Sequence, residues 1–264
     1  MDVSKLLRHY NITEQQWLEA LHCADRVVKI KTQANAYWLK KAAPARGLFR
    51  YHALNFFSRL LRLPLLKAVP QPGGAAAVIN EAARLKALAD AGVPVPKIIA
   101  EDREWLLVES MGESIVKTLK SQTTQKPTRQ KLFAQCLAAI NDVHQKGHYL
   151  SQCFVRNMVL DREANQVVFI DFEDDPLTVM SLAQAQARDL LLFVDSTARF
   201  FTDDKAFFEQ KIQAFMTAHN ETMRGALKQT VDRLQWITKL PFQKRLGHDY
   251  EKLKLGILAL KHIK

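Results

Sequence analysis

The hydrophobic period of this chain changes near Gly112, and that limits it to folds that keep strands and helices apart. Upstream, Arg26–Thr32 and Ala36–Lys41 have strand length, with Ala34-Asn35 as a tight turn between them. Lys97–Ala100 and Trp105–Glu109 form a second pair around Asp102-Arg103. One strong helix, Ala75–Ala91, separates the pairs; Gly92 closes it, and Pro94 and Pro96 prevent its continuation. A short helix over 13–24 is expected, with Thr13 as its N-cap. Downstream, Leu132, Phe133, Cys136, Leu137, Ile140 and Val143 lie on one face of a helix over Arg129–Lys146, closed by Gly147. Two short strands, Met158–Asp161 and Val167–Ile170, interrupt the helical half, which then runs to the end with breaks near Asp203, Asn220 and Pro241; Trp236 and Phe242 are expected in its core. The fold class is α+β, a strand-rich part over 1–110 and a helical part over 111–264, together one domain.

Composition narrows the function. The 264 residues are 48% apolar, enough for a substantial core. No uncharged apolar run reaches the roughly 18 residues of a membrane span, and MDVSKLLRHY does not read as a signal peptide, so a cytoplasmic location is expected. Cys23, Cys136 and Cys153 are far apart, which reads as ordinary buried thiols and not as a disulfide or zinc framework. The net charge of +11 is concentrated early, because no acid occurs between Asp25 and Glu81. Such a patch attracts phosphates, anionic lipid or nucleic acid. No helix-turn-helix, zinc or single-strand-binding signature accompanies it, so nucleic acid is the least favoured partner. Residues 50–66 are apolar and basic at helical spacing, with Pro64 ending or kinking the helix; such a segment packs on the domain or rests on an anionic membrane.

Val143–Asn157 reads VHQKGHYLSQCFVRN, and fourteen residues past Asn157 stands the aspartate of Ile170-Asp171-Phe172-Glu173. This resembles the catalytic and metal loops of kinase-like phosphotransferases, most closely the lipopolysaccharide-core (Kdo) kinases and their RIO-type relatives. His144 and Gly147 match the helix end, Asn157 the asparagine and Asp171-Phe172 the metal loop. Lys40 in YWLKK matches the strand lysine that holds nucleotide phosphates, Glu81 the helix glutamate paired with it, and Arg188-Asp189 the start of the helix that supports the catalytic loop.

The resemblance implies a two-lobed protein-kinase-like fold that binds ATP and Mg2+. Asn157 and Asp171 would ligate the metal, Lys40 and Glu81 would hold the phosphates, and Glu109–Met111 would meet the adenine. It implies a sugar of a lipopolysaccharide core, or a lipid-linked relative, as acceptor; protein serine or threonine is a close variant.

Two departures stand out. Gln152 occupies the place of the catalytic aspartate; it can orient a hydroxyl but cannot accept its proton, and His148 is the nearby alternative base, or a loop histidine in a hydrogen bond. No glycine precedes Gly47, so the glycine-rich phosphate loop is missing, leaving Arg26, Lys29 or Lys31 to supply charge. Gly73-Gly74 reads as a plain turn or as an anion site at a helix start, and Asp174-Asp175 as a solvated turn or as a second carboxylate. A pseudokinase, a binding module with the fold and no catalysis, is the competing reading.

Overall fold

The computed structural model describes residues 3–44, 63–70, 72–121, 123–236 and 243–261. Helices α1 (Val3–His9) and α2 (Glu14–His22) lead into strands β1 (Val27–Lys31) and β2 (Ala36–Lys41). Helix α3 (Ala75–Asp90) follows, then β3 (Ile98–Glu101) and β4 (Trp105–Glu109). These strands form one antiparallel sheet in the order β1-β2-β4-β3. The strand period of two divides β2 cleanly: Tyr37 and Leu39 are buried with Leu107, Trp17 and Leu7 on the face covered by α1 and α2, while Trp38 and Lys40 face the other way.

Thr13 caps α2 through a reciprocal pair: its Oγ1 accepts the Gln16 N–H at 3.1 Å, and the Gln16 Oε1 accepts the Thr13 N–H at 3.1 Å. Thr13→Ala is expected to cost about 1 kcal/mol, read as a lower urea midpoint at unchanged slope. The helix places Trp17 edge-on to Trp105, ring centroids 5.0 Å apart.

The second half opens with β5 (Glu113–Ser114), α4 (Ile115–Lys120) and α5 (Lys126–Gln145), then β6 (Met158–Asp161) and β7 (Gln166–Phe169), and ends in α6 (Leu182–Thr197), α7 (Lys205–Thr217), α8 (Glu221–Leu234) and α9 (Gln243–Ala259). Strands β5, β6 and β7 form a small antiparallel sheet. Gly112 makes its first pairing possible: φ is +53°, and a Cβ there would sit 2.4 Å from the Leu160 carbonyl oxygen. Phe133 of α5 is buried among Phe193, Phe201 and Phe208, with ring centroids 4.7–5.3 Å away. Both halves share one core, since Val78, Leu85, Leu106 and Val108 belong to the same cluster as Phe133 and Phe193. The architecture is α+β as the period change implies, in the two-lobed kinase-like arrangement that the resemblance implies.

Several details differ from expectation. Helix α5 starts three residues before Arg129, because Pro127 sits in its first turn, where the missing N–H is harmless and no apolar period marks it. The short helix α1 was not expected. Of the basic segment, residues 50–62 lie outside the described residues, as do Pro241 and Phe242; the segment's end, Pro64–Leu66, is a single 3-10 turn that buries Leu65. Trp236 is half exposed and not in the core. Cys136 and Cys153 are buried and burial raises both thiols, but Cys23 is exposed. Among the described residues no helix is long and apolar enough to cross a membrane.

Candidate active site

A cleft of about 580 Å3 opens between the large sheet and the catalytic-loop region. Its apolar walls include Val27, Trp38, Val108, Val159 and Ile170, and Glu109–Gly112 line its back. Flat apolar walls suit a nucleobase.

The alternation in β2 decides between the two adjacent lysines. Lys41 turns toward α2, where its Nζ donates to the carbonyls of Ala20 and Leu21 at 3.0 Å and to that of Cys23, tying down the helix end. Lys40 turns into the cleft and pairs with Glu81. Glu81 stands in the apolar stripe of α3, between Val78 and Leu85, with 2% of its surface exposed. A carboxylate is costly there unless a cation meets it, and Lys40 does.

On the opposite wall lie Asn157, at the end of the catalytic loop, and Asp171, after β7. The Asn157 Nδ2 donates to the Gln152 carbonyl at 3.0 Å and to the Asp171 Oδ2 at 3.2 Å, so its own amide oxygen is left for another partner. Asp171 has φ of +75°, a left-handed conformation that a non-glycine residue adopts at some cost. Burial pushes its carboxyl up to about 6; Lys40 opposes that shift, while Glu173, Glu81 and Asp174 add to it. One amide oxygen beside one carboxylate, with phosphate oxygens to complete the shell, is a donor set that fits magnesium.

Gln152 and His148 are placed differently from these four. Gln152 follows Ser151, itself at φ +66°, and neither lines the cleft. The Gln152 side chain reaches Asp174. His148 does not line the cleft either; its carbonyl accepts from Gln186 Nε2 at 3.0 Å, and burial with Arg84 and Lys146 nearby lowers its pKa. Behind the loop, Asp189 is fully buried, and its Oδ2 accepts the Leu150 N–H at 2.7 Å and the His144 Nε2–H at 3.2 Å.

Three features escaped the sequence reading. Asp174 is not in a solvated turn: it is 5% exposed, burial raises its pKa, and its Oδ1 has no partner. Arg26 and Glu173 pair across the cleft; both were in view, Glu173 inside Ile170–Glu173, but a pair 147 residues apart has no local signal. His144 also meets His219, Nδ1 to Nε2 at 3.1 Å. Of the basic candidates for the missing loop, Arg26 and Lys29 line the cleft and Lys31 does not. Gly73-Gly74 behaves as a turn, since the Gly74 N–H is taken by the Ala43 carbonyl at 2.7 Å.

Comparison with known proteins agrees with this geometry. An uncharacterized protein of Haemophilus influenzae is 23% identical over 225 residues, covering 84% of each chain. The lipopolysaccharide kinase (Kdo/WaaP) family profile matches residues 65–219, from the turn before α3 through the cleft-forming loops to His219. More than half of the sequence is thereby accounted for, and the chain belongs to the lipopolysaccharide kinase (Kdo/WaaP) family.

Proposed function

We propose that the chain transfers the γ-phosphoryl group of ATP, with magnesium, to a hydroxyl of a lipopolysaccharide-core sugar or a related glycoconjugate. The observation that carries this reading is the cleft itself: the buried Lys40–Glu81 pair stands on one wall and Asn157 with Asp171 on the other. Residues 1–110 act as the nucleotide lobe and 111–264 as the lobe that presents the acceptor. Lys40 neutralises phosphate charge, and Glu81 holds it in place. Asn157 and Asp171 hold the magnesium, which when bound offsets the charge that builds up on the phosphoryl oxygens. The base lies at Glu109–Met111. Gln152, at the aspartate position, would turn from Asp174 to orient the acceptor hydroxyl by hydrogen bonding; as its oxygen bonds to the γ-phosphorus, the bond from that phosphorus to the β-phosphate oxygen breaks, ADP leaves and the hydroxyl proton goes to solvent. No step is assigned to His148. The acid-free basic run from Arg26 to Asn80 would bring the enzyme to the cytoplasmic face of an anionic membrane, where a lipid-linked acceptor lies.

A second reading has its own support: Gln152, a residue that takes up no proton, at the aspartate position favours a pseudokinase, a binding or regulatory module that keeps the fold without catalysis. Calorimetry with ATP, with and without magnesium, followed by transfer of labelled phosphate to core lipopolysaccharide, separates the two. Magnesium-dependent binding with transfer is the expected result. Binding with no transfer to sugar, glycolipid or protein acceptors would assign the non-catalytic module. No binding at millimolar ATP would remove the transferase and leave the binding module, with a partner other than nucleotide.

A further inference from the structure

The missing glycine-rich loop leaves the roof of the cleft without its usual phosphate donors, and the residue at that edge of the sheet is Arg26. Its backbone oxygen accepts the Lys41 N–H at 2.8 Å, and its Nε donates to the Lys41 carbonyl at 3.2 Å, which fixes the side chain against β2. The two terminal nitrogens meet Glu173, Nη1 to Oε2 at 2.8 Å and Nη2 to Oε1 at 2.6 Å. This is a fork-to-fork pair, the geometry a guanidinium also makes with phosphate. Glu173 follows the metal-loop aspartate by two residues, so the pair joins the roof of the cleft to its floor. The lining carries four cations, Arg26, Lys29, Lys40 and Arg156, and four carboxylates, Glu81, Glu109, Asp171 and Glu173. An arriving triphosphate overbalances this lining with negative charge. Glu81 is buried and cannot give up Lys40, whereas Glu173, at the cleft surface, can give up Arg26.

We infer that Arg26 is the phosphate-binding cation of the roof, held by Glu173 while the cleft is empty and handed to the β- and γ-phosphates when nucleotide enters. The exchange swaps one hydrogen-bond partner for another and involves no covalent step. Glu173 thereby competes with the nucleotide, and the pair makes the cleft selective for triphosphate over nucleoside. This inference rests on the nucleotide-binding reading of the cleft.

The test is calorimetry of the full chain with Mg-ATP and, separately, with adenosine. Arg26→Ala is expected to weaken Mg-ATP about tenfold or more and to change adenosine less than twofold; Arg26→Lys, which keeps charge but not the fork, recovers part of the loss. Glu173→Ala and the more conservative Glu173→Gln are expected to tighten Mg-ATP about tenfold, again with adenosine unchanged. Thermal melts of each variant verify folding. If Glu173→Gln and Arg26→Ala weaken Mg-ATP equally, the pair is a brace or Glu173 serves the metal, and the exchange is overturned. Unchanged Mg-ATP affinity in Arg26→Ala also overturns it. Adenosine binding by the wild type in either case leaves the nucleotide reading standing; a wild type that binds neither ligand removes both.

Discussion

Asp171→Asn is expected to abolish magnesium-dependent ATP binding, by about a hundredfold or more, and at the same time to stabilise the ligand-free protein at neutral pH. Both effects come from the same carboxylate. Burial raises it from an ordinary 3.8 to about 6, so the folded chain holds this proton more tightly than the unfolded chain does. Between pH 4 and 6 the native state therefore binds more protons, and stability falls as pH rises. Above pH 6 the full penalty is present, on the order of 1–3 kcal/mol once solvent access and the contribution of Lys40 are allowed for. Asparagine removes the charge and tolerates the same left-handed backbone at φ +75°. Melting curves at pH 4.5 and 7.5 check the sign. The variant should gain at pH 7.5 and show no advantage at pH 4.5, and an equal gain at both would contradict the titration argument. The same titration gives wild-type Mg-ATP affinity that drops between pH 7.5 and 5, because the ligating carboxylate must be ionised.

How much of this was legible beforehand depends on how local each signal is. The strand period of β2 assigns Lys40 and Lys41 to opposite faces, and the structure shows the two making unrelated contacts. The α3 stripe places Glu81 between Val78 and Leu85, and the run Val167–Ile170 ahead of Asp171 marks a buried strand end. Spacing within one element carries that information. Contacts made between distant segments left no such trace. Arg26 stands out in the sequence only as a cation for phosphate and Glu173 only as the end of the metal loop, with nothing local to pair them, and Asp174-Asp175-Pro176 has the composition of a solvated turn. Asp174 is instead buried beside Gln152 and Arg188 of α6, a meeting that no local pattern encodes. The start of α5 shifted for a related reason, since its first turn faces no core.

Removing a different buried carboxylate should move stability the other way. Asp189 receives the Leu150 N–H at 2.7 Å and the His144 Nε2–H at 3.2 Å on one oxygen, at a site with no solvent exposure. Asp189→Ala leaves both donors without an acceptor in the interior and frees the chain just before Ser151 and Gln152. The expected loss is about 3–5 kcal/mol, read as a lower urea midpoint. Asp189→Asn should lose less, because an amide oxygen at the place of Oδ2 still accepts from both Leu150 and His144. The comparison with Asp171 is the informative one. Each substitution deletes a single carboxylate from the same half of the molecule, but Asp171 meets a side-chain amide that is shared with a backbone carbonyl, whereas Asp189 satisfies two donors that have no substitute. Stabilisation in the first and loss in the second separates a group kept for binding from a group kept for folding. A loss below about 1 kcal/mol in Asp189→Ala would mean that the catalytic loop is held by its apolar packing and not by this anchor.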